Sequence, residues 1–274
     1  MSMTVREARR WASSFLEQHN REARVADLLL MHLLDVELAD FLLMQQEKLS
    51  EWSTFEDWVR DHADTGKPLE HFTGVSEFYG RKFSVSEHVL IPRPETEELI
   101  EAVKPFIQPN DTIVDVGTGS GIIAVTLKKE HPQLSMFATD ISPDALKVAS
   151  GNAERLGADV EFKQGNFLEP VINEPIDIVI SNPPYVPESD RPELSETVMH
   201  DPELALFADD HGLAAYREII RQIGLLRKPP RLVAFEIGYD QGESVPKLIQ
   251  QADPEAVVQV LQDINGKDRM VLWS

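Results

Sequence analysis

Apolar residues along positions 3–64 recur at three- and four-residue spacing, as in Trp11 and Phe15, Val25, Leu28 and Leu29, then Leu33 and Leu34, with charges between them. That period puts the apolar side chains on one stripe of a helix, and no alternating β-branched run interrupts it. The stretch reads as a small helical bundle. Ser50 and Ser53 precede acidic residues and are expected as helix caps. Gly66-Lys67-Pro68 then breaks the pattern and marks a linker. Phe78-Tyr79-Gly80 followed by Lys82-Phe83-Ser84-Val85 reads as two short strands around a glycine turn, and Pro92 and Pro94 end the extended stretch. A helix is expected from about Glu95 to Val103, with acidic residues in the first turn where the helix dipole favours them.

From residue 111 the pattern changes to strand, helix, strand. Thr112–Val116, Ser135–Thr139, Val160–Gln164, Asp177–Ser181 and Arg231–Ile237 are short apolar runs bounded by Gly, Pro or Asp, with helical patterns between most of them. Such alternation predicts an α/β fold with a doubly wound, mostly parallel, Rossmann-like sheet. Val257–Leu261 and Met270–Trp273 flank Asn265-Gly266, a hairpin-type turn, so an antiparallel last pair at the sheet edge is expected. The organisation expected is therefore a helical domain over 1–70, a β-hairpin linker over 71–94 and an α/β domain over 95–274.

A chain of 274 residues with 42% apolar and 27% charged content has room for both a large core and a smaller module. Charge changes the picture more. With 26 basic against 47 acidic residues the formal charge is −21, spread along the chain without a basic arm. That field repels phosphate backbones and suits a basic protein partner, so no direct nucleic-acid partner is expected. There are no cysteines, which excludes disulfides and thiolate metal sites and fits a reducing cytoplasm. No metal site is expected. The longest strongly apolar stretch, Leu28 to Leu34, is broken by His32 and bounded by Asp27 and Asp35, far short of the ~20 residues a membrane span needs. The charged N-terminus lacks the apolar core of a signal peptide. A soluble, cytoplasmic monomer is the expectation.

The chemistry is concentrated at the ends of predicted strands. Asp115-Val116-Gly117-Thr118-Gly119-Ser120-Gly121 closes the first strand of the α/β region, where glycines let the backbone turn sharply and a ligand lie against it. The dinucleotide fingerprint needs its third glycine at position 122, which is Ile122, and the Gly-Lys-Ser/Thr of a phosphate loop is absent. The loop therefore suits a nucleoside without pyrophosphate. Asp140 ends the next strand, beside that loop at the carboxyl edge, where it can accept both ribose hydroxyls. The bland alternative is that Asp140 and Ser142 only cap the helix starting near Pro143. Asn166-Phe167, after the third strand, offers an amide and a flat face for a base, although Phe167 equally suits the core. Asp115 is expected to hold the loop rather than touch ligand.

Asn182-Pro183-Pro184-Tyr185 follows the apolar strand Asp177–Ser181. Two prolines stiffen the turn, remove two N–H donors and leave carbonyls exposed. The Asn182 side-chain oxygen and the Pro183 carbonyl can each accept one hydrogen of an NH2 group, and Tyr185 supplies a face for a planar group. Two such acceptors push charge onto a nitrogen as it attacks an electrophile, and orientation supplies much of the rest. No prior general base is required, because the proton becomes acidic once the nitrogen carries a methyl group. The combination reads as S-adenosyl-L-methionine-dependent methylation of an amide or amine nitrogen, with adenine and glutamine both open as acceptors.

On these motifs the chain resembles the HemK/PrmC-type protein N5-glutamine methyltransferases, which modify the glutamine of the Gly-Gly-Gln loop in peptide chain release factors. The resemblance covers roughly residues 66–274. It takes in Phe78-Tyr79-Gly80, Ile91-Pro92-Arg93-Pro94-Glu95-Thr96-Glu97, the Asp115–Gly121 loop, Asp140, Asn182–Tyr185 and Glu236-Ile237-Gly238. The Pro-Arg-Pro-Glu-Thr-Glu stretch discriminates best, since broader amino-methyltransferases usually lack it. The resemblance implies a Rossmann-like methyltransferase sheet and S-adenosyl-L-methionine as cofactor, released as S-adenosyl-L-homocysteine. By the same resemblance Gly117, Thr118, Gly119, Ser120, Gly121, Asp140, Asn166, Phe167 and Asn182 contact the cofactor. Asn182, Pro183, Pro184 and Tyr185 hold the substrate glutamine, with Asn182, Pro183 and Tyr185 at the chemistry, and the helical N-terminus serves substrate recognition. The chain departs from the family's usual pattern at Asn166 for Asp, Glu70 for Gln and Asp201-Pro202 for Glu-Pro.

Arg93, between two prolines, reads as a tie to an acidic neighbour, with a substrate clamp as the alternative. The His200 to His211 segment lacks metal-ligand spacing, and Asp209 and Asp210 are expected in a loop or at a site mouth. Release-factor glutamine methylation is thus the leading reading. Glutamine methylation of a ribosomal protein, N6-adenine methylation of nucleic acid and a non-catalytic cofactor-sensing module are the rivals.

Overall fold

A computed structural model describes residues 3–274. The chain divides into two compact units, Met1–Val75 together with Ser195–His200, and Ser76–Leu194 together with Asp201–Ser274.

The first unit is helical: α1 (Val5–Gln18), α2 (Arg24–Leu33), α3 (Leu38–Leu43), α4 (Trp52–Thr65) and α5 (Leu69–Thr73). The apolar stripes meet in a core that includes Leu16, Leu29, Leu30, Phe41 and Phe55, all fully buried. Burying each such side chain stabilises by about 1.5–3 kcal/mol, and this burial rather than helix propensity holds short helices together. Neither Ser50 nor Ser53 caps a helix, a correction to the sequence expectation. The cap of α4 is Glu51, without a side-chain bond, and Ser53 lies inside the helix. The capping box is at α1, where the Thr4 hydroxyl accepts from Glu7 N and the Glu7 carboxylate accepts from Thr4 N. The segment 195–200 belongs to this unit through Arg21, which pairs with Glu196 at 2.6 Å, and through His200 Nε2, 2.9 Å from the Thr65 carbonyl.

The second unit opens with a hairpin of β1 (Val75–Phe78) and β2 (Arg81–Ser84) around left-handed Tyr79 and Gly80. After α6 (Pro94–Val103) come β3 (Thr112–Val116), α7 (Ile122–Glu130), β4 (Ser135–Asp140), α8 (Pro143–Leu156), β5 (Glu161–Gln164) and β6 (Ile178–Ser181). The short helical turns α9 (Glu203–Leu206) and α10 (Asp209–Gly212) lead to α11 (Ala214–Ile223), β7 (Leu232–Glu236), α12 (Ser244–Ala252), β8 (Val258–Gln262) and β9 (Asp268–Trp273). The seven-stranded sheet has the order β5-β4-β3-β6-β7-β9-β8. It is parallel from β5 to β7, while β9 runs antiparallel to both β7 and β8. The expected antiparallel pair at the edge is present, with the last strand inserted on its inner side.

Alternate residues of the central strands feed two separate cores. Ile113, Ile178, Ile180, Leu232 and Ala234 pack with α6, α7 and α8 on one face. Val114, Val116, Val179, Val233 and Phe235 pack with α11 and α12 on the other. This period of two is why β6 and β7 are buried at every position, with polar residues only at their carboxyl ends, Ser181 and Glu236: both faces of a parallel sheet are covered.

Candidate active site

The reversal of strand order between β3 and β6 opens a crevice at the carboxyl ends of the parallel strands, where ligands of such sheets bind. A cavity of about 300 Å³ lies there. It is lined by Gly117, Thr118, Gly119 and Ser120 after β3, by Asp140, Ile141 and Ser142 after β4, and by Asn166 and Phe167 after β5. Asn182 and Pro184 after β6 complete the strand-end wall, and Leu90, Pro92, Arg93, Thr96, Pro202 and Leu204 stand among the residues of the other side.

The glycine loop is held from beneath. The N–H groups of Gly117 and Thr118 both donate to the Thr139 carbonyl at 2.9 Å. Asp115, with no exposure, accepts from the Thr118 hydroxyl at 2.6 Å and from Ala124 N at 3.2 Å, the loop-holding role expected of it. Burial pushes its carboxyl up to about 7, against the pull of those two bonds. The three glycines do different work. At Gly117 (φ +72°) and Gly119 (φ +55°) a Cβ would meet nothing within 4 Å. At Gly121 (φ +84°) it would come 3.1 Å from the Cβ of Ala149, so this glycine permits α7 and α8 to pack and does not line the cavity.

Asp140 braces the same loop: its Oδ2 accepts from Gly119 N and its Oδ1 from Ser142 N, both at 2.9 Å. Burial raises its carboxyl above the ordinary value. The cap of α8 is Ser142, whose hydroxyl accepts from Ala145 N at 3.1 Å. Phe167 serves both readings offered for it, since it lines the cavity and also packs on the α11–α12 core. Its φ of +50° is unusual for an aromatic residue, and such strain concentrates at functional sites.

After β6, the Ser181 hydroxyl donates to the Val116 carbonyl at 2.7 Å and ties the two central strand ends together. Asn182 Nδ2 donates to Thr96 Oγ1 at 3.2 Å, and that hydroxyl donates to Glu236 Oε2 at 2.7 Å. The nitrogen end of the Asn182 amide is thus anchored to protein, and Asn182 itself stands on the cavity wall. Pro183 and Tyr185, unlike Asn182 and Pro184, are not on the cavity wall. The Tyr185 ring packs against the α11–α12 core, and its carbonyl accepts from Gln241 Nε2 at 3.2 Å. Burial, followed by the charge of Glu236, pushes its hydroxyl up to about 12, so it stays protonated.

Arg93 pairs with Asp201 at 2.5 Å, and Asp201 also accepts from Ile91 N at 3.1 Å, which is the tie expected of Arg93. Asp210 and His211 have left-handed backbones in the loop before α11, where Asp210 pairs with Arg217. Sequence reasoning gave no role to Thr96 or Glu236. The available signal was a carboxylate at the carboxyl end of an otherwise apolar buried strand, as at Asp140.

Comparison with known proteins agrees with this architecture. The Methyltransferase small domain family matches residues 95–209, and the PrmC N-terminal domain family matches residues 7–74. Among solved structures, the hMettl16 catalytic domain bound to a MAT2A 3′UTR hairpin aligns with a TM-score of 0.59 at 16% identity, over 82% of this chain and 81% of that one. A methyltransferase from Pyrococcus furiosus aligns with a TM-score of 0.53 at 16% identity, over 72% of this chain and 89% of that one. At such identity the likeness is one of fold. Sequence relatives are much nearer. The release factor glutamine methyltransferase of Bacillus cereus is 42% identical over 98% of either chain. The protein of the same name from Bacillus subtilis is 45% identical over 98% of this chain and 96% of its own length. Those alignments span the helical and the α/β unit alike, and the chain belongs to the release factor glutamine methyltransferase family.

Proposed function

We propose that this chain transfers a methyl group from S-adenosyl-L-methionine to the side-chain amide nitrogen, N5, of the glutamine in the Gly-Gly-Gln motif of peptide chain release factors. The observation that carries this reading is the anchored amide of Asn182, held by Thr96 at 3.2 Å on the wall of the cavity that the glycine loop also lines. An amide fixed by its nitrogen offers its oxygen, and an oxygen is what an NH2 group requires. The names of the Bacillus relatives support the substrate class, and the net charge of −21 disfavours a nucleic-acid substrate.

The cavity residues fit the cofactor. Bare backbone at Gly117 and Gly119 leaves room for a ligand against the loop, and Asp140 stands beside it where ribose hydroxyls would be accepted. Thr118 and Ser120 line the same wall, while Asn166 and Phe167 offer an amide and a ring for the base. When bound, S-adenosyl-L-methionine supplies an electrophilic methyl group on sulfur and leaves as S-adenosyl-L-homocysteine. Asn182 accepts one amide hydrogen of the substrate and the Pro183 carbonyl the other, which aligns the nitrogen and favours the positive charge it gains. Pro183 and Pro184 keep the turn stiff, and Tyr185 supports it from the core side. The nitrogen sheds its extra proton to solvent after transfer. The helical domain over 1–70 recognises the protein substrate, and the enzyme works as a cytoplasmic monomer. No helix among the described residues is long and apolar enough to cross a membrane.

The test is methyl transfer from labelled cofactor to a release factor, its Gly-Gly-Gln→Gly-Gly-Ala variant, ribosomes and duplex DNA in parallel. Label in the intact factor but not the variant is the expected result. Label only in ribosomes or DNA would overturn the substrate assignment.

A further inference from the structure

We propose that Glu236 is a positioning residue for methyl transfer: acting through Thr96, its buried carboxylate locks the Asn182 amide with the oxygen toward substrate and polarises that oxygen. The proposal rests on the substrate-holding role assigned to Asn182 above.

Topology brings the three groups together from distant parts of the chain. β6 and β7 are parallel neighbours with Ser181 opposite Phe235, so the next residues, Asn182 and Glu236, sit side by side at the carboxyl edge. Thr96, in the first turn of α6, is fully buried between them. Every hydrogen in this chain of bonds runs one way, from the Asn182 amide to the Thr96 hydroxyl to the Glu236 carboxylate. A threonine hydroxyl has one proton. Because Glu236 takes it, Thr96 Oγ1 can only accept from Asn182, and the amide cannot turn its NH2 toward the substrate without losing a partner. Bonds in series also reinforce one another, so an anion at the far end draws the amide protons and leaves more charge on the oxygen. That oxygen faces a nitrogen that becomes cationic as the methyl group arrives.

Glu236 is 1% exposed, and an ionised carboxylate so placed is costly unless its partners hold it. The groups around it are Thr96 and Glu95 from α6, Asn182 and Tyr185 after β6, Tyr216 from α11 and Arg269 from β9. Burial pushes the Glu236 carboxyl up to about 7, Glu95 adds to that push, and Thr96, Asn182 and Arg269 oppose it. The anion is the effective form, so turnover rises as pH passes upward through that value.

A purely structural role would be to pin α6 to the sheet, and a glutamine at 236 can do that by accepting the same Thr96 proton. The experiment therefore compares Glu236→Gln, Thr96→Val and Thr96→Ser for kcat and KM with a release factor, pH profile, and cofactor affinity by calorimetry. Glu236→Gln and Thr96→Val should lower kcat by at least about tenfold, less than the 10²–10³ typical of a direct transition-state partner. KM and cofactor Kd should stay within about threefold, Thr96→Ser should recover most of the rate, and the limb near pH 7 should vanish in Glu236→Gln. Wild-type kcat and an unchanged limb in Glu236→Gln and Thr96→Val, with only melting temperature altered, would overturn the proposal. Should Glu236→Gln not fold, the Thr96→Val and Thr96→Ser pair decides alone. An Asn182→Ala enzyme that still methylates at the normal rate would instead sink the underlying reading of Asn182.

Discussion

The turns after β3 and β6 lie at the ends of neighbouring strands, joined by the Ser181–Val116 bond, yet they are built on opposite principles. The first is glycine-rich, and its surface toward the cavity at Gly117 and Gly119 is backbone alone. Its shape is set by bonds from below, through Thr139, Asp115 and Asp140. The second is proline-stiffened and offers a side chain whose orientation is fixed by Thr96. A loop that binds through its outline tolerates no added atoms. A turn that binds through acceptors tolerates no loss of one. The two should therefore fail differently when altered.

The largest separation is expected for Asn182→Ala. Turnover should fall by about 10²–10³ or more, as when a preorganised transition-state partner is removed, while cofactor affinity changes only a few-fold. Equal losses in single-turnover rate and calorimetric cofactor affinity would mean that Asn182 belongs mainly to the cofactor. On the other side, Gly119→Val should weaken cofactor binding by about tenfold or more, since it forces a β-branched residue to φ +55° and fills open cavity. Gly121→Ala should do the reverse: the clash with Ala149 lowers the melting temperature by a few degrees but leaves Kd for the cofactor nearly intact. Matching Kd losses in both glycine variants would erase the distinction drawn between them.

The smallest effect concerns the support beneath the first loop. The folded-state carboxyl of Asp115 is raised to about 7, so it contributes stability that is complete below the ordinary carboxylate range and lost as pH rises toward 7. Thermal unfolding of the wild-type protein should accordingly show a lower midpoint at pH 8 than at pH 5, and Asp115→Asn should flatten part of that slope. A slope unchanged in the variant would assign it to other groups, Glu236 first among them.

Much of the second unit could be read from its residues, because a buried parallel strand leaves an unbroken apolar run. Ile178–Ser181 and Leu232–Glu236 lie within a residue of the ends expected for them. Caps were harder. Thr4-Val5-Arg6-Glu7 carries the capping-box spacing, whereas Ser50 and Ser53 stand out only as serines ahead of acidic residues. The position of β9 between β7 and β8 was not legible, since a hairpin's pattern is the same whichever strand lies inward. The open backbone turn at Gly117 and Gly119 was legible from the glycine spacing, but the packing task of Gly121 needed the neighbouring helix to be seen. The anchoring of Asn182 by Thr96 spans 86 residues of sequence and has no local signature. Periodicity reports which face a residue occupies, not which distant partner meets it there.

The helical unit is not a contiguous piece of chain: Ser195–His200 counts with it, although Leu194 and Asp201 on either side do not. Inheritance of that unit by another methyltransferase would thus take three crossovers rather than one, the first after residue 75 and the others on either side of 195–200. A recombinant that exchanged residues 1–75 alone would lose the native pairing of Arg21 with Glu196 and of His200 with the Thr65 carbonyl. A transplant of the helical module therefore keeps both of those pairings only when 195–200 travels with 1–75.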